Sequence, residues 1–198
     1  DKVYYEKYLG CLIGENMIQW GVAGYSAVSM AGVFVLFSKK KKNTSLKAGF
    51  LLMNLSLLLP FAGHVLNGFS YVSNRWIWAY GMLIAYICVK IYPELFTLTI
   101  SEKRRIFVMT VLYSVIALFW QVSRTERNMM AVLILVSSVA VILFYGSVYV
   151  RKRNFCLLLG ALTAAGIVLN ISYQYSLEKD YLSEFSDQGE ALKKLESG

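Results

Sequence analysis

The chain has few charged residues and almost no histidine or proline. Only 16% of its 198 residues are Asp, Glu, Lys or Arg, against about 25% in an ordinary soluble domain. The single histidine has no partner for a metal site, and the sequence contains neither a Gly-rich phosphate loop nor a Ser/His/Asp set. The three cysteines are scattered, which favours neither a disulfide framework nor a zinc site. Cys88 and Cys156 lie in apolar runs, and we expect both to be buried. No metal or cofactor is indicated.

Hydrophobic residues make up 57% of the chain, and they are gathered into long runs separated by clusters of charge. A membrane-spanning helix needs about 20 mostly apolar residues, and the runs that approach this length are 19–38, 46–66, 76–100, 106–122, 129–150 and 155–175. We therefore expect an all-α, polytopic transmembrane helical bundle of about six helices over residues 19–175.

The two ends of the chain lie outside these runs. Residues 1–18 are predicted to be an extracytoplasmic segment, and residues 176–198 an extracytoplasmic amphipathic segment that starts a further domain. The opening DKVYYEKYLG is typical of the interior of a protein. We therefore expect the chain to be part of a longer one.

Lysine and arginine are concentrated in three loops, at residues 39–47, 103–105 and 151–153. These are alternate loops of the predicted bundle, so they share one side, and the positive-inside rule assigns that side to the cytoplasm. Both termini are then outside. Glu94 and Glu102 are the two carboxylates predicted on the basic side. The net charge of +8 is explained by this orientation, and we expect membrane lipid rather than nucleic acid as a partner.

The polar stretch 60–78, PFAGHVLNGFSYVSNRWIW, lies at the predicted outer ends of the second and third helices. The pair Asn67 and Gly68 predicts a turn, since glycine adopts positive φ freely. Ser73 and Asn74 can cap the third helix.

Cations of the outer loops could bind a phosphate group. Arg75 would lie at headgroup depth near a helix N-terminus, where its paired donors suit a phosphate. Arg124 and Arg127, in the loop SRTERN, could assist on the same face. The alternative is that Arg75 touches ordinary lipid phosphates and Trp76 anchors the interface. His64 is expected to be a hydrogen-bonded residue near a helix end rather than a catalytic base.

The segment NGFSYVSNRW resembles a loop of the YfhO family of bacterial membrane proteins, described as GT-C-class glycosyltransferases. The tyrosine-rich start (Tyr4, Tyr5 and Tyr8) and the alternation of helices with basic inner loops fit this resemblance. It implies an enzyme of the bacterial cell membrane. This enzyme would transfer a sugar from a polyprenyl-phosphate carrier to a cell-surface polymer acceptor such as teichoic acid.

The resemblance also implies roles for individual residues. The GT-C pattern has a catalytic acid in an early outer loop, but Asp1, Glu6 and Glu15 do not form an Asp-x-Asp pair. The catalytic residue is therefore unknown, and the chain corresponds to a middle or later part of such an enzyme. By analogy, the donor pocket would be shaped by Asn67, Gly68, Ser70, Asn74 and Arg75.

Two other functions stay open at this point. A transporter or flippase of a lipid-linked substrate would usually show repeats, broken helices and polar residues at the membrane midplane. The sequence has no repeat and almost no midplane charge, although a lipid carrier needs fewer buried charges. A non-catalytic membrane scaffold would be insensitive to changes at Asn74 or Arg75.

Overall fold

The computed structural model describes residues 17–18, 21–22, 27–71, 75–119, 125–145 and 153–169, with side chains for 27–71, 75–118, 129–145 and 153–169. In these residues the fold is all-helical apart from one hairpin, as predicted. Two-residue strands, β1 (Met17–Ile18) and β2 (Gly21–Val22), pair antiparallel. The α-helices are α1 (Ala27–Ser38), α2 (Thr44–Leu58), α3 (Pro60–Leu66), α4 (Ile77–Ile91), α5 (Ile100–Phe119), α6 (Thr125–Tyr145) and α7 (Arg153–Leu169). A 3-10 helix, Tyr92–Phe96, continues α4.

Helix α1 lies at the centre of the packing, with α4, α5 and α6 around it. It is apolar on every side, and a helix of that kind is normally buried. Nine of its twelve residues are buried. The glycine at position 32 lets α4 approach closely, because a Cβ there would lie 2.9 Å from the Cys88 sulfur.

The second predicted span is not one continuous helix. It divides into α2 and α3, which are bent by 98° at Leu59. Pro60 causes the break, since a proline lacks the N–H that would continue the helix and pushes the preceding residue towards extended backbone. Leu59 has φ −103° and ψ 105°, and Pro60 occupies the first turn of α3, where proline is favoured.

Helices α2 and α4 run antiparallel, as short loops between neighbouring helices predict. Near the start of α2, the Asn43 Nδ2 donates to Glu94 Oε1 at 3.4 Å, beyond the end of α4. Further along, the buried Tyr80 hydroxyl near the start of α4 donates to Asn54 Oδ1 at 3.2 Å. The Tyr80 ring also packs against Phe50, with ring centroids 5.8 Å apart. Helix α2 therefore follows α4 along most of its length.

Several predicted boundaries were wrong. The first helix begins at Ala27 rather than at residue 19, because the hairpin occupies part of the expected span, where Gly21 has poor helix propensity. The third ends at Phe96 instead of residue 100. Helix α5 begins at Ile100, so residues 103–105 belong to it and not to a loop. Trp76, not Ser73 or Asn74, is the N-cap of α4, and it makes no side-chain capping bond.

The cysteine expectation was also only partly right. Cys88 is half-buried against α1, with its sulfur 3.6 Å from the Ser29 carbonyl oxygen. Cys156 is exposed, because its position on α7 faces away from the core that buries the neighbouring Phe155. Its sulfur lies 3.2 Å from the Tyr92 hydroxyl.

Helix α4 is apolar on both of its faces. The inward face carries Ile77, Tyr80, Ile84, Ile87 and Ile91, all buried; the outward face carries Trp78, Met82, Tyr86 and Val89, which are 55–73% exposed. A surface helix of a soluble domain would carry polar residues on the outward side. Further large apolar side chains are exposed on α2, α5, α6 and α7.

Length and composition single out one membrane-span candidate among the described residues. This is Ile77–Phe96, formed by α4 and the 3-10 helix; counting the bent α2–α3 pair as one span gives a second. The apolar helices Ala27–Ser38 and Arg153–Leu169, and the part Met129–Tyr145 of α6, are shorter than 18 residues. The expected six crossings therefore stay a prediction.

Candidate functional site

The turn that follows α3 is built mainly by backbone hydrogen bonds. The Phe69 N–H donates to the His64 carbonyl at 2.9 Å, and the Gly68 N–H to the Val65 carbonyl at 3.1 Å. This pair of bonds is the Schellman motif that ends many helices, with Gly68 (φ 65°) in the left-handed position that glycine favours. The motif's usual side-chain contact is present between His64 and Phe69, whose rings meet edge-on at 5.7 Å.

Asn67 and Ser70 belong to the same turn. Asn67 caps the C-terminus of α3, and its Nδ2 donates to the Tyr71 carbonyl at 3.0 Å. The Ser70 N–H donates to the Asn67 carbonyl at 3.4 Å, and its side chain is exposed. Asn67 and Gly68 therefore help to end α3, independently of any ligand.

Arg75 is the cation nearest this turn in sequence, and it lies in the turn that leads into α4. Its side chain is exposed, and in the described part of the chain no hydrogen bond or ion pair joins it to Asn67, Gly68 or Ser70. Trp76 beside it packs against the core, and its indole N–H is buried without a hydrogen-bond partner among the residues described.

The side chains of three predicted site residues lie outside the described part of the structure. Asn74 and Arg124 lie outside the described residues. Arg127 falls in the first turn of α6, but its side chain is outside the described part. The structure thus brings Asn67, Gly68 and Ser70 together in one turn, while the predicted grouping of these residues with the arginines stays a prediction.

A second polar cluster, which the sequence analysis missed, lies at the opposite end of α4. Lys39 follows α1 directly and is only 7% exposed. Its ammonium forms an ion pair with Glu102 Oε2 at 3.0 Å and donates to the Thr97 carbonyl at 3.3 Å. The Lys47 ammonium donates to the Lys39 carbonyl. A buried charge needs partners of this kind to offset its lost hydration.

Glu102 is held by its own helix end as well as by Lys39. The Thr99 N–H donates to Glu102 Oε2 at 2.8 Å, and the Glu102 N–H donates to Thr99 Oγ1 at 3.4 Å, which together form a capping box. Burial acts to raise the pKa of Glu102, but the Thr99 N–H and the Lys39 ammonium outweigh it and lower that pKa below the ordinary carboxyl value.

Glu94 is bound by the same lysine-rich loop. Asn43 Nδ2 donates to its Oε1, and Lys42 lies 3.9 Å from that oxygen. Lys90, four residues earlier on α4, is exposed. Both carboxylates predicted on the basic side therefore contact residues of the first basic loop.

Described residues of the three basic segments lie at one end of the helices. Lys39 contacts Glu102 at the start of α5, and the Lys103 ammonium donates to the Leu143 carbonyl at 2.8 Å near the end of α6. Phe155, two residues after the exposed Arg153, packs its ring 5.2 Å from that of Phe96. This common location agrees with the loop alternation on which the predicted orientation depends.

One signal in the sequence could have indicated this cluster. Thr99 followed by Glu102 in TISE is the capping-box spacing, and it marks the start of α5 correctly. The pairing of Lys39 with Glu102 joins residues 63 positions apart, and no local pattern predicts it.

The comparisons with known proteins identify no relative. The chain matches no protein-family model, no curated protein and no solved structure.

Proposed function

We propose that the chain is a multi-pass membrane module with its basic end in the cytoplasm, and that it is part of a glycosyltransferase that uses a polyprenyl-phosphate-linked sugar. The membrane part of the proposal depends above all on α4. Its outward side chains Trp78, Met82, Tyr86 and Val89 are large, apolar and exposed. In water such a surface is costly, whereas lipid is as apolar as the side chains themselves.

The separation of the two polar regions supports the same placement. Fifteen residues of α4 at about 1.5 Å each, followed by the 3-10 helix at about 2 Å per residue, put Arg75 about 30 Å from Glu94 along the helix axis. The hydrocarbon core of a bilayer is about 30 Å thick. Arg75 and the Lys39 cluster would then lie at the two headgroup layers.

The proposed donor site is centred on Arg75. Its side chain is exposed, and no described ion pair occupies it. A guanidinium at headgroup depth can hold the phosphate of a lipid-linked sugar and stabilise the charge of the departing polyprenyl phosphate. The identity of the reaction rests on the resemblance of NGFSYVSNRW to the YfhO family, and the acceptor would be a surface polymer such as teichoic acid.

Transfer of a labelled sugar from a polyprenyl-phosphate donor tests this proposal, in membranes that contain the complete enzyme. Arg75→Ala should lower transfer about 10- to 100-fold, since a charge-assisted hydrogen bond contributes about 1.5–3 kcal/mol. Arg75→Lys should retain part of the activity. The matched control is Arg104→Ala, which removes an exposed arginine at the other end of the protein and should change little.

Either of two results would contradict the proposal. If Arg75→Ala transfers sugar as fast as the wild type at equal protein levels, Arg75 is an interface anchor. If the wild type transfers no sugar from several polyprenyl donors, the chain belongs to another class of membrane protein.

A transporter or flippase is the second candidate, and the break between α2 and α3 favours it. Discontinuous helices recur at the binding sites of transporters, and the 98° bend at Leu59 is a break of that kind. Uptake of a labelled lipid-linked substrate into sealed vesicles, without any transfer of sugar, would support this candidate over the transferase.

A further inference from the structure

Phe69 has a backbone conformation that is unfavourable for a phenylalanine. Its φ is 59°, directly after the left-handed Gly68, and only glycine adopts that region without a steric cost. The side chain is nevertheless 64% exposed, so it does not fill the described core. Strained backbone persists only where the surrounding structure enforces it, and it recurs at functional sites. Here the turn that holds Phe69 leaves its aromatic ring exposed.

Two other large apolar side chains of the same segment are also exposed. Phe61 is 68% exposed and Leu66 is 59% exposed. Gly63 is the one buried residue of α3, whereas the large apolar side chains of Phe61 and Leu66 are exposed. The segment 59–71 carries no Asp, Glu, Lys or Arg.

The geometry of α2 determines where this segment lies. Fifteen residues give α2 a length of about 22 Å, and it runs alongside α4 up to the level of Tyr80. From there α3 turns through 98°. If α2 stands across a bilayer, α3 lies nearly in the membrane plane, towards the end of the bundle at which α4 begins.

We propose that residues 59–71 form an interfacial anchor, which inserts Phe61, Leu66 and Phe69 into the outer leaflet of the bilayer. The inference rests on the membrane placement in the proposed function, though not on sugar transfer. Lipid is the occupant because the segment is uncharged, lies nearly perpendicular to α2 and follows directly on the exposed Leu55 and Leu58 of α2. Short helices that lie in the interface bury their apolar side chains about 5–10 Å into the boundary of headgroups and acyl chains.

In this proposal the Schellman turn does more than end α3. By directing Phe69 into lipid, the turn would fix the height of Ser70 and Tyr71 relative to the membrane. Arg75 follows only six residues after Phe69. The anchor is therefore a positioning device that would hold the Arg75 guanidinium at the depth of lipid phosphates.

Nitroxide labels on single cysteines test the anchor in vesicles of phosphatidylethanolamine and phosphatidylglycerol. With Cys11, Cys88 and Cys156 replaced by alanine, labels are placed at Phe69→Cys, Met82→Cys and Lys41→Cys. The depth of each label is measured by comparing how strongly its nitroxide is relaxed by oxygen and by a water-soluble nickel chelate. We expect the Met82 label to be deep, the Lys41 label aqueous, and the Phe69 label just below the phosphates.

The three labels separate the possible failures. A deep Met82 label with an aqueous or immobilised Phe69 label would overturn the anchor alone, with immobilisation indicating a protein partner instead of lipid. An aqueous Met82 label would overturn the membrane placement, and the anchor with it. Sugar transfer has no bearing on either outcome.

Phe69→Gly distinguishes an anchor from a packing residue. Glycine accepts φ 59° without strain, so we expect the resistance to unfolding in detergent to be unchanged or greater. A label at Ser70→Cys should move towards water in the same variant. Loss of detergent stability with no change in the depth of the Ser70 label would show that Phe69 serves packing, and would contradict the proposal.

Discussion

At Gly32, α1 and α4 lie so close together that an added side chain would meet the other helix. An alanine there would bring its Cβ to 2.9 Å from the Cys88 sulfur, with the next atoms, Ile91 Cδ1 and Cys88 Cα, at 3.7 and 3.8 Å. Favourable contacts between carbon atoms lie at about 3.5–4.0 Å. The sulfur is therefore the one atom that must move. Its neighbour on α1, the Ser29 carbonyl at 3.6 Å, restrains it.

The expected cost can be worked out from this contact. Overpacking a core typically costs about 1–3 kcal/mol, and alanine regains up to about 1 kcal/mol of helix propensity over glycine. Gly32→Ala should therefore lower the free energy of unfolding by about 1 kcal/mol, and by at most about 2. In a Cys88→Ala background the clash is gone, and the same change should be neutral or stabilising.

A double-mutant cycle by reversible denaturation in mixed micelles measures the coupling. Contacting residues typically couple by about 0.5–3 kcal/mol. Gly81→Ala on α4 is the control, because nothing lies within 4 Å of the added carbon, and it should cost nothing. An equal loss from Gly32→Ala in both backgrounds would refute the close approach of α1 to α4 at Cys88.

Three further outcomes follow from local contacts. Gly68→Ala should cost about 1 kcal/mol, because φ is 65° with open space around the Cβ, and Gly68→Asn should cost less in the same denaturation assay. Lys39→Met should cost about 1–3 kcal/mol by leaving Glu102 without its lysine partner. Because the pKa of Glu102 is lowered in the folded state, the ion pair should stabilise the fold fully above the ordinary carboxyl pKa and should lose its effect as pH falls through the lowered pKa. Thermal melts recorded against pH should show this dependence, and Glu102→Gln should abolish it. Tyr80→Phe should cost about 1 kcal/mol or less in thermal melts, as hydrogen bonds between helices such as that to Asn54 usually do.

The helices themselves were predictable because their signal is local. Apolar runs separated by basic clusters predicted where α4 to α7 lie, although most of their ends differ from the predicted ones by several residues, and the capping box in TISE marks where α5 begins. The short hairpin before α1 was missed, since two-residue strands carry no periodicity. Pro60 falls inside the predicted second span, but its consequence, a bend of 98°, depends on how α3 packs and not on the proline alone.

The candidate site was harder to predict because residues that could bind a ligand also hold the fold together. The sequence predicts the turn at Asn67 and Gly68, whereas the Schellman motif by which this turn ends α3 becomes visible only in the fold. The pairing of Lys39 with Glu102 connects the end of α1 with the first turn of α5. Local sequence identifies residues able to bind a charge, whereas long-range packing decides which of them are already occupied.

The orientation of the helices across the membrane is the central claim, and an impermeant maleimide tests it most directly. In intact cells that express the cysteine-free protein with Ser70→Cys or Lys41→Cys, we predict labelling of the Ser70 variant from outside, and labelling of the Lys41 variant only after the cells are opened. Labelling of Lys41→Cys in intact cells, or protection of Ser70→Cys until lysis, would contradict the account.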